Sequence, residues 1–239
     1  MGGMTVRRMI PALALVAAMA TVAGCAAGQK PTTTAPTAEP TVQPTESAPT
    51  AEAAWLDNGR MIGIVTSGSS TCIPSVDDVV AKGQEIAVAL TEPTDKPCTM
   101  DFVPRVSLLA VPEGVDPAKD VTIMIAGDGS QVVVPGAAAL TGTPGSPTDY
   151  APSAGWFSGT GIALLTWGSS TCPPILGEVK AVDGGASVAL STTSEVCTMD
   201  MAPRGTVVTL DTAPAAHAGF ALTLDGAGFT QQKVAIVGG

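Results

Sequence analysis

The chain has 239 residues, with 11 basic and 21 acidic side chains, a formal net charge of −10 and only 3% aromatic residues. That balance excludes a nucleic-acid binder held by phosphate contacts, because the protein would repel the phosphate backbone. His217 is the one histidine, which excludes a metal cage built on imidazole. A single apolar stretch near the N-terminus excludes a multi-span membrane protein.

The first residues read as a targeting segment. Arg7 and Arg8 precede an almost uninterrupted apolar run from Met9 to Val22, and Val22-Ala23-Gly24-Cys25 follows. The run spans 14 residues, too short for a bilayer helix that needs ~20, but the length of the apolar region of a secretory signal peptide. Small residues ending in cysteine resemble the lipobox of bacterial lipoproteins, with Val22 standing where the family prefers Leu. The resemblance implies that the Cys25 thiol receives a diacylglycerol, that residues 1–24 are removed, and that the new amine is acylated, as with palmitate. Each buried acyl methylene contributes ~0.8 kcal/mol and one chain anchors only marginally. Two or three chains on Cys25 would therefore hold the protein on the outer face of the cell membrane.

Residues 25–54 read as the anchored cysteine and a disordered tether. Pro31, Pro36, Pro40, Pro44 and Pro49 are interspersed with threonines, without apolar periodicity. Such a segment cannot bury enough surface to offset its ordering entropy. It is expected to be an extended spacer, on the order of 90 Å long in polyproline geometry.

From Trp55 onward the chain repeats itself. Gly68-Ser69-Ser70-Thr71-Cys72 recurs as Gly168-Ser169-Ser170-Thr171-Cys172, and Cys98-Thr99-Met100-Asp101 as Cys197-Thr198-Met199-Asp200. Pro104-Arg105 recurs as Pro203-Arg204, and Trp55 and Trp156 open the copies. A period near 100 residues is too long for a solenoid. The expected architecture is therefore two tandem homologous domains, 55–140 and 156–239, joined by the Pro-rich linker 141–155. A single barrel made from both copies is the alternative.

Each copy reads as β. Short apolar or β-branched runs lie at 86–90, 106–111, 121–125 and 131–134, and again at 187–190, 206–210, 220–224 and 233–237. Turn signals separate them, including Lys82-Gly83, Asp183-Gly184 and Asp225-Gly226. The expectation is all-β, with two small sandwich- or barrel-like units.

Four cysteines remain beyond Cys25, two per copy, in an exported and oxidising setting. Of the three possible connectivities, the duplication favours Cys72–Cys98 and Cys172–Cys197. The duplicated pattern is similar to that of uncharacterised secreted proteins of high-GC bacteria, a likeness that implies no activity.

Catalytic signatures are weak. The seryl block is neither G-x-S-x-G nor S-x-x-K. His217, the one candidate base for a serine nucleophile, sits in a small-residue loop without a counterpart in the first copy. The seryl block is better read as a turn that positions the disulfide, with its hydroxyls on local backbone. Asp101 with Arg105, and Asp200 with Arg204, are spaced by four. They are candidates for a recognition site used twice, a local ion pair, or an Asp capping a turn. Trp167, where the first copy has Ser67, is a candidate binding anchor if exposed, and otherwise a cover for the disulfide or the joint. Met61, Met100, Met199 and Met201 lack His or free thiolate neighbours in sequence and read as core filling. No metal, calcium loop or cofactor motif is found. The function expected is a membrane-anchored, extracytoplasmic, non-catalytic binding or structural module of the cell envelope. Its partner would be an envelope protein or glycan. An extracytoplasmic hydrolase or a protease inhibitor is the alternative.

Overall fold

The structure is a computed structural model that describes residues 51–127, 129–193 and 196–238. Residues 1–50, on which the expected signal peptide, the Cys25 anchor and most of the expected tether fall, lie outside the described residues. No described helix is long and apolar enough to cross a membrane.

Both copies fold as β, with seven strands each. The first contains β1 (Glu52–Leu56), β2 (Met61–Gly68), β3 (Ser75–Lys82), β4 (Glu85–Thr91), β5 (Val103–Ala110), β6 (Val121–Ile125) and β7 (Gln131–Val134). The second contains β8 (Ser153–Trp156), β9 (Gly161–Gly168), β10 (Ile175–Val182), β11 (Gly185–Ser191), β12 (Ala202–Thr209), β13 (Ala221–Gly226) and β14 (Phe229–Val237). The first strands start at Glu52 and Ser153, so each copy begins three residues before its tryptophan.

In the first copy a three-stranded sheet, β1-β2-β5, faces a four-stranded sheet, β3-β4-β6-β7. Between them lies a core of Trp55, Ile62, Ile64, Ile86, Val88, Leu109, Val121 and Ile123. The second copy repeats this arrangement around Trp156, Ile162, Leu164, Val188, Val208, Leu222 and Leu224. Two separate cores show two sandwiches rather than one shared barrel.

A third cluster joins the copies. It contains Ala54, Leu56, Met61, Val65 and Val106 from the first copy with Ala163 and Leu165 from the second. These residues alternate along β1, β2 and β9 with those of the sandwich cores, because strand side chains point to opposite faces in turn. The central strands are therefore buried on both faces, and read as continuous apolar runs. Equivalent residues meet at this joint. A Cβ on Gly63 would lie 3.3 Å from the Cβ of its counterpart Ala163, and one on Gly205 would lie 2.6 Å from Val106, its own counterpart. Contact between counterparts is the signature of an approximate two-fold relation.

The copies differ at one seam. In the second, β14 pairs in parallel with β8 through Ile236 and Val237, which joins all seven strands into one sheet. The first copy has Pro135 at the position of Val237. Proline has no N–H for the ladder, so β7 ends at Val134. There the Trp55 indole N–H donates to the Pro135 carbonyl at 2.8 Å.

The segment expected as the linker, 141–155, is fastened to the first copy. Gly142 N donates to Asn58 O at 2.9 Å, Thr148 donates to Asp57 at 3.0 Å, and Arg60 pairs with Asp149 at 3.2 Å. Asp57 is buried, and burial raises its carboxyl pKa against the opposing Thr148 hydroxyl and Arg60 charge.

The close joint leads to an expected outcome. Gly63→Val would push branched methyls against Val106 and Ala163, at a cost of ~1–3 kcal/mol. Thermal melting should show Tm lowered by roughly 2–10 °C. Gly159→Ala, at a glycine with no atom within 4 Å of a built Cβ, should leave it unchanged. Equal melting of the two variants would contradict the packed joint.

Candidate functional site

The duplicated blocks meet at the end of each sandwich. The corner that follows β2, residues 68–74, lies against residues 97–102, which lead into β5. Cys72–Cys98 joins these segments, with Cα atoms 5.4 Å apart. Cys172–Cys197 does the same in the second copy, at 5.6 Å. Each bridge closes a loop of about 25 residues, worth ~3–4 kcal/mol in the chain-entropy account.

Around each bridge the same hydrogen-bond network is built twice. Ser70 N donates to the Asp101 carboxylate at 3.1 Å, as does Ser170 N to Asp200. The Thr99 and Thr198 hydroxyls donate to the same carboxylates. Thr99 N and Thr198 N donate to the hydroxyls of Thr71 and Thr171 at 3.1 Å. Ser69 and Ser169 complete the set, each 2.8 Å from the threonine hydroxyl opposite and accepting from the N–H of Thr71 or Thr171.

These bonds favour the ionised carboxylates. The Ser70 hydroxyl, the Thr99 hydroxyl and Ser70 N–H hold the Asp101 pKa down to about 2. The Thr198 hydroxyl, the Ser170 hydroxyl and Ser170 N–H do the same for Asp200, again to about 2. An ordinary aspartate titrates near ~3.9. The carboxylate bonds are thus fully formed above about pH 4 and are lost as pH falls toward 2.

Asp101 and Asp200 therefore cap the seryl turn and do not pair with Arg105 and Arg204. Spacing by four brings side chains together on a helix, whereas Arg105 and Arg204 lie on strands, where each residue advances ~3.3 Å. The arginines run beneath the corner instead. Arg105 donates to the Cys72 carbonyl and pairs with Glu92. Arg204 donates to the Cys172 carbonyl at 3.1 Å and the Trp167 carbonyl at 2.7 Å, and its burial lowers its pKa. Gly68 and Gly168 allow this approach, since a Cβ on either would strike the guanidinium.

Met100 and Met199 stand at the tips. Their exposures are 103% and 104%, and Phe102 at 71% and Met201 at 58% lie two residues beyond. The expected core role holds for Met61, which is buried in the joint, and fails for the other three.

Trp167 is half-buried, packs on the joint cluster and meets Tyr150 edge-on at 5.2 Å. It covers the joint. His217 stacks on Trp156 at 4.1 Å, and its Nε2 faces the Gly159 carbonyl at 3.2 Å, not a serine hydroxyl. A cavity of about 630 Å³ lies in the second copy among Val179, Val182, Leu210, Pro214 and Phe220. In the first copy Gln84 stitches the equivalent loop through Asp116 N and O at 2.9 Å, while Gly184 stands at its position. No group of three or more metal-ligating side chains occurs among the described residues. No protein-family model, curated protein or solved structure matches the chain.

Proposed function

We propose that the protein is an exported lipoprotein, anchored through Cys25 to the outer face of the cell membrane, and that it acts without catalysis by binding through its two disulfide-braced loops. One observation carries this reading. Within the blocks that recur unchanged, the cysteines, serines, threonines and aspartates are each engaged in the bridge or the network. Met100 and Met199 are equally unchanged, yet they are fully exposed and pack against nothing. The copies have diverged elsewhere, as at Pro135 and Val237 or Glu92 and Thr192. A thioether kept twice at a tip fits a contact made with a partner. Flexible, polarizable methionine beside Phe102 suits an apolar pocket on an envelope protein better than the hydroxyl-rich face of a glycan.

Anchoring is tested by fractionation with fatty-acid labelling. Cys25→Ser should move the protein from the membrane to the medium and abolish palmitate incorporation; label persisting on that variant would remove the anchor.

Binding is tested by oxidative footprinting of the wild-type protein on the cell envelope. Peroxide should modify Met100 and Met199 readily in the purified protein and several-fold more slowly on envelopes. Unchanged rates at both would contradict a role for the loops.

A further inference from the structure

We infer that each tip is a substrate-like inhibitory loop for a serine endopeptidase whose specificity pocket takes an unbranched apolar side chain, with Met100–Asp101 and Met199–Asp200 as the bonds presented. The inference rests on the binding reading above and names its partner.

An endopeptidase cleft accepts a single extended strand with one side chain projecting into a specificity pocket. Residues 97–102 and 196–201 belong to no helix or strand, and each presents a methionine, Met100 or Met199, with essentially its whole surface free, beside exposed Phe102 in the first and exposed Val196 and Met201 in the second. A flexible loop with these features would be a substrate. These loops are pre-organised on both sides of the presented bond. On the N-terminal side, Cys98 is bridged to Cys72 and Thr99 N is held by the Thr71 hydroxyl. On the C-terminal side, the Asp101 carboxylate is held by Ser70 N. The Thr99 hydroxyl reaches across Met100 to that same carboxylate, so the two residues flanking the methionine are tied directly. Arg105, beneath the corner, fastens the Cys72 carbonyl to the scaffold. The second copy repeats every one of these restraints around Met199.

These restraints change the outcome of attack. The protease serine hydroxyl adds to the Met100 carbonyl and gives its proton to the protease histidine. The C–N bond to Asp101 breaks, and that proton passes to the departing nitrogen, leaving an acyl-enzyme and a free amine. In an ordinary substrate the amine diffuses away and water completes hydrolysis. Here Asp101 stays hydrogen-bonded to Ser70 and Thr99, so its amine remains beside the ester. It re-attacks, expels the serine and restores the peptide bond, with no net consumption of atoms. The rigid loop also loses little freedom on docking, which favours a tight complex. Methionine carries no charge, so a pocket with an acidic floor is disfavoured and an apolar slot is favoured.

The purified, unlipidated Cys25→Ser protein should be titrated against subtilisin and chymotrypsin, with trypsin as the mismatched enzyme. Tight inhibition of at least one of the first two is expected, with little effect on trypsin. Met100→Gly combined with Met199→Gly should weaken inhibition roughly 100-fold, as for loss of a central anchor. Met100→Lys should create trypsin inhibition while Met199 retains the original activity, a gain that a misfolded variant could not produce. Asp101→Asn in a Met199→Gly background should speed net cleavage after Met100, because the leaving amine is held less firmly. Rapid hydrolysis of the loops without inhibition would overturn the proposal, as would absence of inhibition together with failure of the lysine variant to act on trypsin. If inhibition fails while Met100 and Met199 are still shielded on envelopes, the inhibitor assignment falls and the binding reading stands. If shielding fails too, both fall.

Discussion

Each sandwich depends at its functional end on one cross-link. The bridge from Cys72 to Cys98, and from Cys172 to Cys197, fixes the corner after the second strand of each copy against the chain that enters β5 or β12. Without it, residues 97–102 would have only exposed hydrogen bonds to hold them, and exposed polar contacts contribute little individually. With it, those bonds act on a short, tethered segment, and the Ser-Thr-Asp network can set one conformation. An arginine, buried in the first copy and half-buried in the second, completes the arrangement by holding the carbonyl of the bridged cysteine from below. A small β unit with few aromatic residues gains stability from the same staple.

The duplication supplies a comparison within one molecule. Both copies keep the bridge, the network, the arginine and the exposed methionine. They differ beside the tips, at Pro97 and Val196, at Phe102 and Met201, and at Glu92 and Thr192, and also farther away. Pro135 leaves the first sandwich open at a seam that Ile236 and Val237 close in the second. Gln84 pins a loop in the first copy where Gly184 leaves a cavity in the second. The bridge, the network and the methionine are retained while their flanks, the seam and the distal loop diverge. The joint between copies is tight because small residues, Gly63, Ala163 and Gly205, sit where equivalent strands cross.

The duplication, the all-β class and both disulfides were legible because identical residues recur at a constant offset and the turn glycines punctuate short apolar runs. The strands flanking the joint were harder to read. Along Met61-Ile62-Gly63-Ile64-Val65 both faces are buried, so the period-2 alternation that marks a half-exposed strand is missing. β3 was hidden for the opposite reason: nearly all its residues are exposed, and a bulge near Asp78, at φ +50°, interrupts its register. The spacing of Asp101 and Arg105 suggested a pair because four residues make neighbours on a helix, and only the strand at Val103 rules that out. Met100 and Met199 looked like core residues by composition. Their exposure, beside a polar network, becomes visible only when residues about 30 positions apart are brought together.

The central claim is that each tip is rigid although it is exposed. Backbone 15N relaxation of residues 99–101 and 198–200, with both disulfides intact, tests it most directly. The account predicts order parameters of ~0.85 at both tips, equal to those of the sandwich strands. Values below ~0.6 at Met100 and Met199 would show ordinary flexible loops and would contradict it.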